Sequence, residues 1–408
     1  MNISKRAQEI DESITLKLNA KANSLAESGK HIYNLTAGQL PFRPLNDFID
    51  LIKDELSFVK SYQYSPVAGI PALRNKVIER IEKTRNVDFS GLDTEFDCII
   101  SNGAKHSVSN ALSVLIDKGD EVVLFAPYWV SYPQMIKFYG GIPHYIKSNV
   151  YDVFIPSMDD LKKSLSPKTK AIILNSPNNP SGTHYPEEWC RDFAKLMVNY
   201  PNVVIISDEI YNDLYYFDPK PVPFYRGYPE LLERTIIIDG ISKTLASTGL
   251  RIGYAVGPKE IISAMTKVQG QTTSGANTLM QKALSNFDFS MIEKYLEPIK
   301  LHLRDNSQVL QEKYRSYNLS HCWYQPVSAF YYLIDFSKVP LIEKFKNDHD
   351  DSGDYANEIC NYLLEEKGLA MVPGSDFGMP NTARISLVLE HGPFEEAMEI
   401  LLTAMTSS

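Results

Sequence analysis

Residues 235–254 read TIIIDGISKTLASTGLRIGY. The opening run is β-branched without alternation, the pattern of a strand buried on both faces. A polar turn follows at once. Lys243 stands in it among small residues, with glycines at 240, 249 and 253. Small residues let a backbone approach a ligand closely. Most lysines end as solvated surface charges. A lysine desolvated in such a pocket instead has a lowered pKa and forms imines with carbonyl compounds. Spacing alone leaves both readings open.

The same texture repeats on either side. Buried-strand runs are expected at Cys98–Ile100, Glu121–Phe125, Ala171–Leu174, Val203–Ile206 and Thr235–Ile238. Helical spacing lies between them, as at His106–Ile116 and Glu187–Val198. Strands alternating with helices predict an α/β fold around a mostly parallel sheet. Each run is followed by a polar signal: SNGAKHS, APYW, NSPNNPSG, SDEIY and DGISKT. Ligands of open α/β sheets bind beyond the carboxyl ends of the strands. The five loops are therefore expected to share one site. After about residue 290 the chain changes to long charged helices and a strand-like stretch at Ala329–Ile334. The expected division is a large domain at 48–290 and a smaller α/β domain at 291–408, joined by the segment 1–47.

Composition narrows the function classes. The formal net charge is −9, which argues against a nucleic-acid binder. The four cysteines, Cys98, Cys190, Cys322 and Cys360, form no CxxC pair, so no zinc knuckle or disulfide framework is expected. The first residues are polar, and no run approaches a membrane span. A cytoplasmic protein without a metal site or membrane contact is the expectation. Neither GxGxxG nor GxxxxGK[ST] occurs, which weighs against a nucleotide enzyme.

Several residues carry chemistry by type and place. Asp208 closes a strand, where it serves as a helix cap or as a carboxylate facing a ligand. Tyr211, three residues on, is expected on the same helical face. Gly103, Ala104 and Lys105 open a helix, a place suited to a phosphate. Trp129, Asn179 and Arg384 read as core, turn and edge-strand residues when taken alone.

Together these segments resemble the class I and II aminotransferases of fold type I, enzymes that use pyridoxal 5′-phosphate (PLP). The Ser242–Lys243 pair, followed by Gly249, Arg251 and Gly253, is similar to that family's lysine signature. SPNNPSG, SDEIY, YSPVAGIPALR, PYWVSYP and MVPGSDFG match in order, from Leu35 to the C-terminal helix. The resemblance implies that Lys243 carries PLP and moves the substrate proton. It implies that Asp208 pairs with the pyridinium nitrogen. Tyr211 and Asn179 would bond the phenolic oxygen, and Trp129 would stack on the ring. Gly103, Ala104, Lys105, Ser242 and Arg251 would hold the phosphate, with Tyr64 reaching it from the partner of a homodimer with shared active sites. Arg384 would grip the substrate α-carboxylate beside Gly38. Two positions depart from the family: Gln39 replaces an acid, and Gly240 replaces the serine that some relatives use for the phosphate.

The implied reaction moves an amino group between an L-amino acid and a 2-oxo acid, with glutamate and 2-oxoglutarate as one pair. The donor stays open among aromatic, neutral and aspartate classes. The helix after the phosphate loop lacks a further cation over Ser107–Asp117, which tilts the expectation toward a neutral or aromatic donor. A PLP-dependent β-lyase and a catalytically silent binding protein of the same fold remain alternatives.

Overall fold

The structure is a computed structural model and describes residues 3–8, 10–11, 14–346 and 353–407. In chain order its strands are β1 (Tyr33–Asn34), β2 (Phe96–Ser101), β3 (Glu121–Phe125), β4 (Ile142–Ile146), β5 (Thr169–Asn175) and β6 (Val204–Asp208). They continue with β7 (Thr235–Gly240), β8 (Gly253–Pro258), β9 (Tyr331–Asp335), β10 (Leu369–Ala370), β11 (Val372–Pro373) and β12 (Thr382–Ser386).

Seven of these strands form one sheet in the order β2-β8-β7-β6-β5-β3-β4. β8 runs antiparallel to both its neighbours, and the other pairings are parallel. Alternate residues of the central strands enter two separate apolar clusters. Ile172, Ile205, Ile237 and Val256 face one, with Leu73, Val77 and Ile81 of the helix Pro71–Arg85. Ile173, Ile206, Ile236 and Ala255 face the other, with Val108 and Leu112 of the helix Ala104–Leu115. Both faces are covered, which is why the runs are apolar throughout.

The strand β12 lies between β11 and β9 in a three-stranded antiparallel sheet. β1 pairs in parallel with β10, which sets Tyr33 and Asn34 beside Leu369 and Ala370. Among the described residues no helix is long and apolar enough to cross a membrane. All four cysteines are buried and unpaired.

Several boundaries differ from expectation. The strand expected at Val203–Ile206 runs to Asp208, and that at Thr235–Ile238 runs to Gly240. Backbone pairing carries both past their apolar runs to the rim. β4 contains Pro143 and sits half-exposed at the sheet edge, where a proline is tolerated. β8 reads GYAVGP, too glycine-rich to carry a strand signal by propensity.

Candidate active site

The carboxyl ends of β2, β3, β5, β6 and β7 reach one rim, and the antiparallel β8 begins there. A cavity of about 410 Å³ opens among them. Every nominated site residue except Gly103 and Tyr64 lines it. Its charged groups are Lys105, Lys243, Arg251 and Arg384 against Asp208. An acidic protein thus holds a locally cationic pocket suited to anions.

One end of the cavity has the features that suit a phosphate. Gly103 caps the helix Ala104–Leu115 with φ 87°, a conformation that favours glycine. A Cβ there would stand 2.6 Å from Arg251 Nη2. The His106 and Ser107 N–H groups already donate to the Gly103 carbonyl, which leaves those of Ala104 and Lys105 free at the positive dipole end among the described residues. Arg251 is steadied by bonds from Nη1 to the Thr248 carbonyl at 2.9 Å and from Nη2 to the Asn102 carbonyl at 3.3 Å. Gly240 also has a physical reason. A Cβ there would come within 2.9 Å of the Gly253 Cα and the Ile252 carbonyl oxygen. A serine would force β7 and β8 apart, and Ser242 lines the pocket instead.

Lys243 is buried and donates from Nζ to the carbonyl of Gly38. Burial lowers its pKa to about 7, helped by the cations Arg384 and Arg251 and opposed by Asp208. A large share of the amine is therefore neutral near pH 7, the form that attacks carbonyls and accepts protons. Asp208 is pushed up to about 6 by burial, against the hydrogen bonds from Tyr132 and the Ile210 N–H. It is still largely ionised at neutral pH. Tyr132 Oη donates to Asp208 Oδ2 at 2.5 Å.

Tyr211 does not share a helix with Asp208, as its spacing predicts. Residues 210–213 form a turn, closed by Asn212 N–H to the Glu209 carbonyl and Leu214 N–H to the Tyr211 carbonyl. No helix follows Asp208 for it to cap, and Oδ1 accepts from the Ile210 N–H within the turn at 3.3 Å. Asn179 Nδ2 donates to Tyr211 Oη at 3.5 Å, and Tyr211 Oη lies 3.1 Å from Tyr331 Oη.

Arg384 is not on an edge strand. It sits on the middle strand β12 and is 3% exposed. Nη1 donates to Asn179 Oδ1 at 3.1 Å and Nη2 to the Thr36 carbonyl at 2.9 Å. Its guanidinium lies 4.6 Å from the centre of the Tyr331 ring. Its Nε is buried with no hydrogen-bond partner among the described residues. Such a donor calls for an acceptor that a carboxylate would supply. Trp129 is half-buried at the mouth, with Lys105 Nζ 4.8 Å from its ring centre.

Tyr132, Asn175, Tyr331 and Thr36 were not nominated, although each touches a nominated residue. Asn175 ends β5 beside Asp208 in register, accepts from the Asn179 N–H at 3.0 Å and donates to the Asp208 carbonyl at 3.1 Å. A polar residue ending a buried run was its only signal. Tyr331 and Thr36 come from distant segments and carry no local signal. Tyr64 lies outside the cavity and is 94% exposed.

The donor set fits PLP. An unpartnered Arg384 Nε, a glycine cradle against Arg251, a buried amine and a buried carboxylate meet in one cavity. Comparison with known proteins agrees. The family model described as aminotransferase class I and II matches residues 30–401. An aspartate aminotransferase of Geobacillus stearothermophilus is 32% identical, with 98% of each chain covered. An aspartate/prephenate aminotransferase of Nitrosomonas europaea is 32% identical, with 100% of each covered. The solved structure of Thermus thermophilus aspartate aminotransferase with maleate superposes with a TM-score of 0.87 at 31% identity, covering 99% of this chain and 100% of that one. The chain therefore belongs to the class I and II aminotransferases, PLP-dependent enzymes of fold type I that move an amino group between an amino acid and a 2-oxo acid.

Proposed function

We propose that this enzyme takes a dicarboxylic donor, aspartate, and passes its amino group to 2-oxoglutarate. One observation carries the reading: Lys105 lines the cavity as a cation additional to Arg251 and Arg384. Burial lowers its pKa, with repulsion from Arg251 as the second cause. A distal carboxylate would relieve that penalty. Lys21 pairs with Glu365 at 2.8 Å, and neither Lys17 nor Arg43 lines the cavity. Among the donor classes open from the sequence, this favours aspartate. The relatives named as aspartate aminotransferases, one of them solved with the dicarboxylate maleate, support the same choice.

The roles follow from the chemistry of each group. Bound PLP supplies an electron sink for the bond being broken at the substrate Cα. Asp208 holds positive charge opposite its own carboxylate. Arg384 binds the α-carboxylate with its fork, beside Gly38, and Lys105 takes the distal one. The amine of Lys243, once free, removes the Cα proton as general base and returns a proton as general acid. Ser242, Arg251, Gly103 and Ala104 would hold the phosphate of the cofactor when it is bound. Tyr211 and Asn179 would bond the cofactor's ring oxygen, and Trp129 would stack on its ring.

The test is a donor screen with 2-oxoglutarate. Aspartate should exceed alanine and phenylalanine in kcat/KM. Lys105→Ala should lower kcat/KM for aspartate by roughly 10- to 100-fold, the worth of a charge-assisted hydrogen bond, while alanine changes far less. Equal losses for both donors would move Lys105 from substrate to cofactor. Product formed without any acceptor 2-oxo acid would point to the β-lyase alternative.

The reading also includes a cytoplasmic homodimer with shared sites, a large domain at 48–290 and a small one at 291–408 with 1–47 attached. Reduced, buried cysteines suit the cytosol. Leu56, Phe58, Val59, Tyr62 and Tyr64 are all exposed on one short segment, an apolar surface that a second copy would cover. Mixing Tyr64→Phe subunits with Lys243→Ala subunits should restore activity in heterodimers, because one site keeps both native residues. Verified heterodimers no more active than the parents would exclude shared sites.

A further inference from the structure

Behind the pocket, on the other face of the sheet, lies a buried ionic cluster that the reaction above does not use. Asp208 ends β6 and Glu209 follows it directly, so their side chains point to opposite faces of the sheet. Asp208 lines the cavity, and Glu209 meets Arg85 at the end of the helix Pro71–Arg85. Arg85 Nε donates to Glu209 Oε2 at 2.7 Å, and Nη2 donates to Asp239 Oδ2 at 2.8 Å. Asp239 lies on β7 four residues before Lys243. The Arg85 side chain has 0% exposure, against 5% for Glu209 and 1% for Asp239.

The carboxylates are themselves held. Glu209 Oε1 accepts from Ser207 Oγ at 2.8 Å and Tyr225 Oη at 3.0 Å. Asp239 Oδ1 accepts from the Gly240 N–H at 2.7 Å. Arg80 pairs with Asp213, which stands 3.8 Å from Arg85 Nη1. Apolar side chains of equal volume would give such a region equal or greater stability. What ions add is direction, because a planar guanidinium bonding two carboxylates fixes both in angle and distance.

We propose that Arg85 is a positioning residue, one that sets the placement of Asp208 and Lys243 by tying together the ends of the two strands that present them. The proposal rests on the roles given above to those two residues. A slack tie would let the β6 end move relative to the β7 end. Placement errors of about 1 Å can cost on the order of a hundredfold in rate. Substrate grip through Arg384 and Lys105 would be spared, since neither touches the cluster.

The test uses the holoenzyme and the Arg85→Lys variant. Lysine keeps the charge but cannot bond both carboxylates with a fork. Expected are a fall in kcat of about 10- to 100-fold with KM changed by less than about threefold. The pH at which the bound cofactor's visible absorbance titrates should also move by about half a unit or more. Asp239→Asn is the second variant, removing charge from one arm of the tie, and should move kcat and the titration in the same direction by less. If Arg85→Lys does not fold, Asp239→Asn decides. A folded variant with unchanged kcat and unchanged titration would leave Arg85 a packing residue and overturn the proposal. Asp208→Asn, run in parallel, separates the two levels. If that variant keeps full activity, the role given to Asp208 fails, whatever Arg85 does.

Discussion

Lys243→Ala is expected to lower kcat by at least about 10⁴-fold, roughly 5.5 kcal/mol of transition-state stabilisation. The enzyme would lose both its covalent tether to the cofactor and its proton carrier. The substitution should not unfold the chain. Among the described residues Nζ bonds the Gly38 carbonyl alone, and it lies 5.2 Å from the Phe330 ring centre and 5.6 Å from that of Tyr211. Removing a buried cation beside Arg384 and Arg251 also removes repulsion. Thermal melting and cofactor titration of the purified variant check this. A folded variant that binds PLP and turns over slowly is the expected result. Rates within about tenfold of the native enzyme would show that another group moves the proton.

Arg384→Leu is expected to lower kcat/KM by roughly 10²- to 10³-fold for every α-amino acid, about 2.7–4 kcal/mol. The effect should not discriminate among donors, because each has the same α-carboxylate. Lys105→Ala should discriminate, and the contrast separates the two cations. Leucine also strands the Asn179 amide oxygen and the Thr36 carbonyl, which now accept from Arg384. Part of the loss therefore reflects a disturbed pocket wall. Addition of guanidinium ion should recover some activity if the missing fork is the main cause.

The central sheet was legible because its strands are buried on both faces, and an unbroken apolar run is the direct mark of that environment. The convergence of loops after β2, β3, β5, β6 and β7 was legible for the same reason, since polar residues at the ends of such runs have only the rim to occupy. β8 escaped because its glycines serve close approach to β7 and the helix Ala104–Leu115 rather than strand propensity. The helix expected after Asp208 gave way to a turn at 210–213, and just beyond it Tyr215 bridges to Ser328. Residues nominated from local motifs, Gly103 and Tyr64 apart, line the cavity. Those that complete it from afar, Thr36 and Tyr331, did not announce themselves, because a side chain's long-range neighbour leaves no trace in local pattern. The Arg85 cluster was invisible for a related reason: an arginine ending a helix reads as an exposed charge, yet here it is fully buried.

The claim on which the rest depends is that Lys243 is the residue that carries the cofactor. Borohydride reduction of the PLP-loaded enzyme, followed by proteolysis and peptide mass mapping, tests it without reference to turnover. The label should lie on a single peptide containing Lys243 and be absent from Lys243→Ala. A label on Lys105 or any other lysine in the native enzyme would contradict the account.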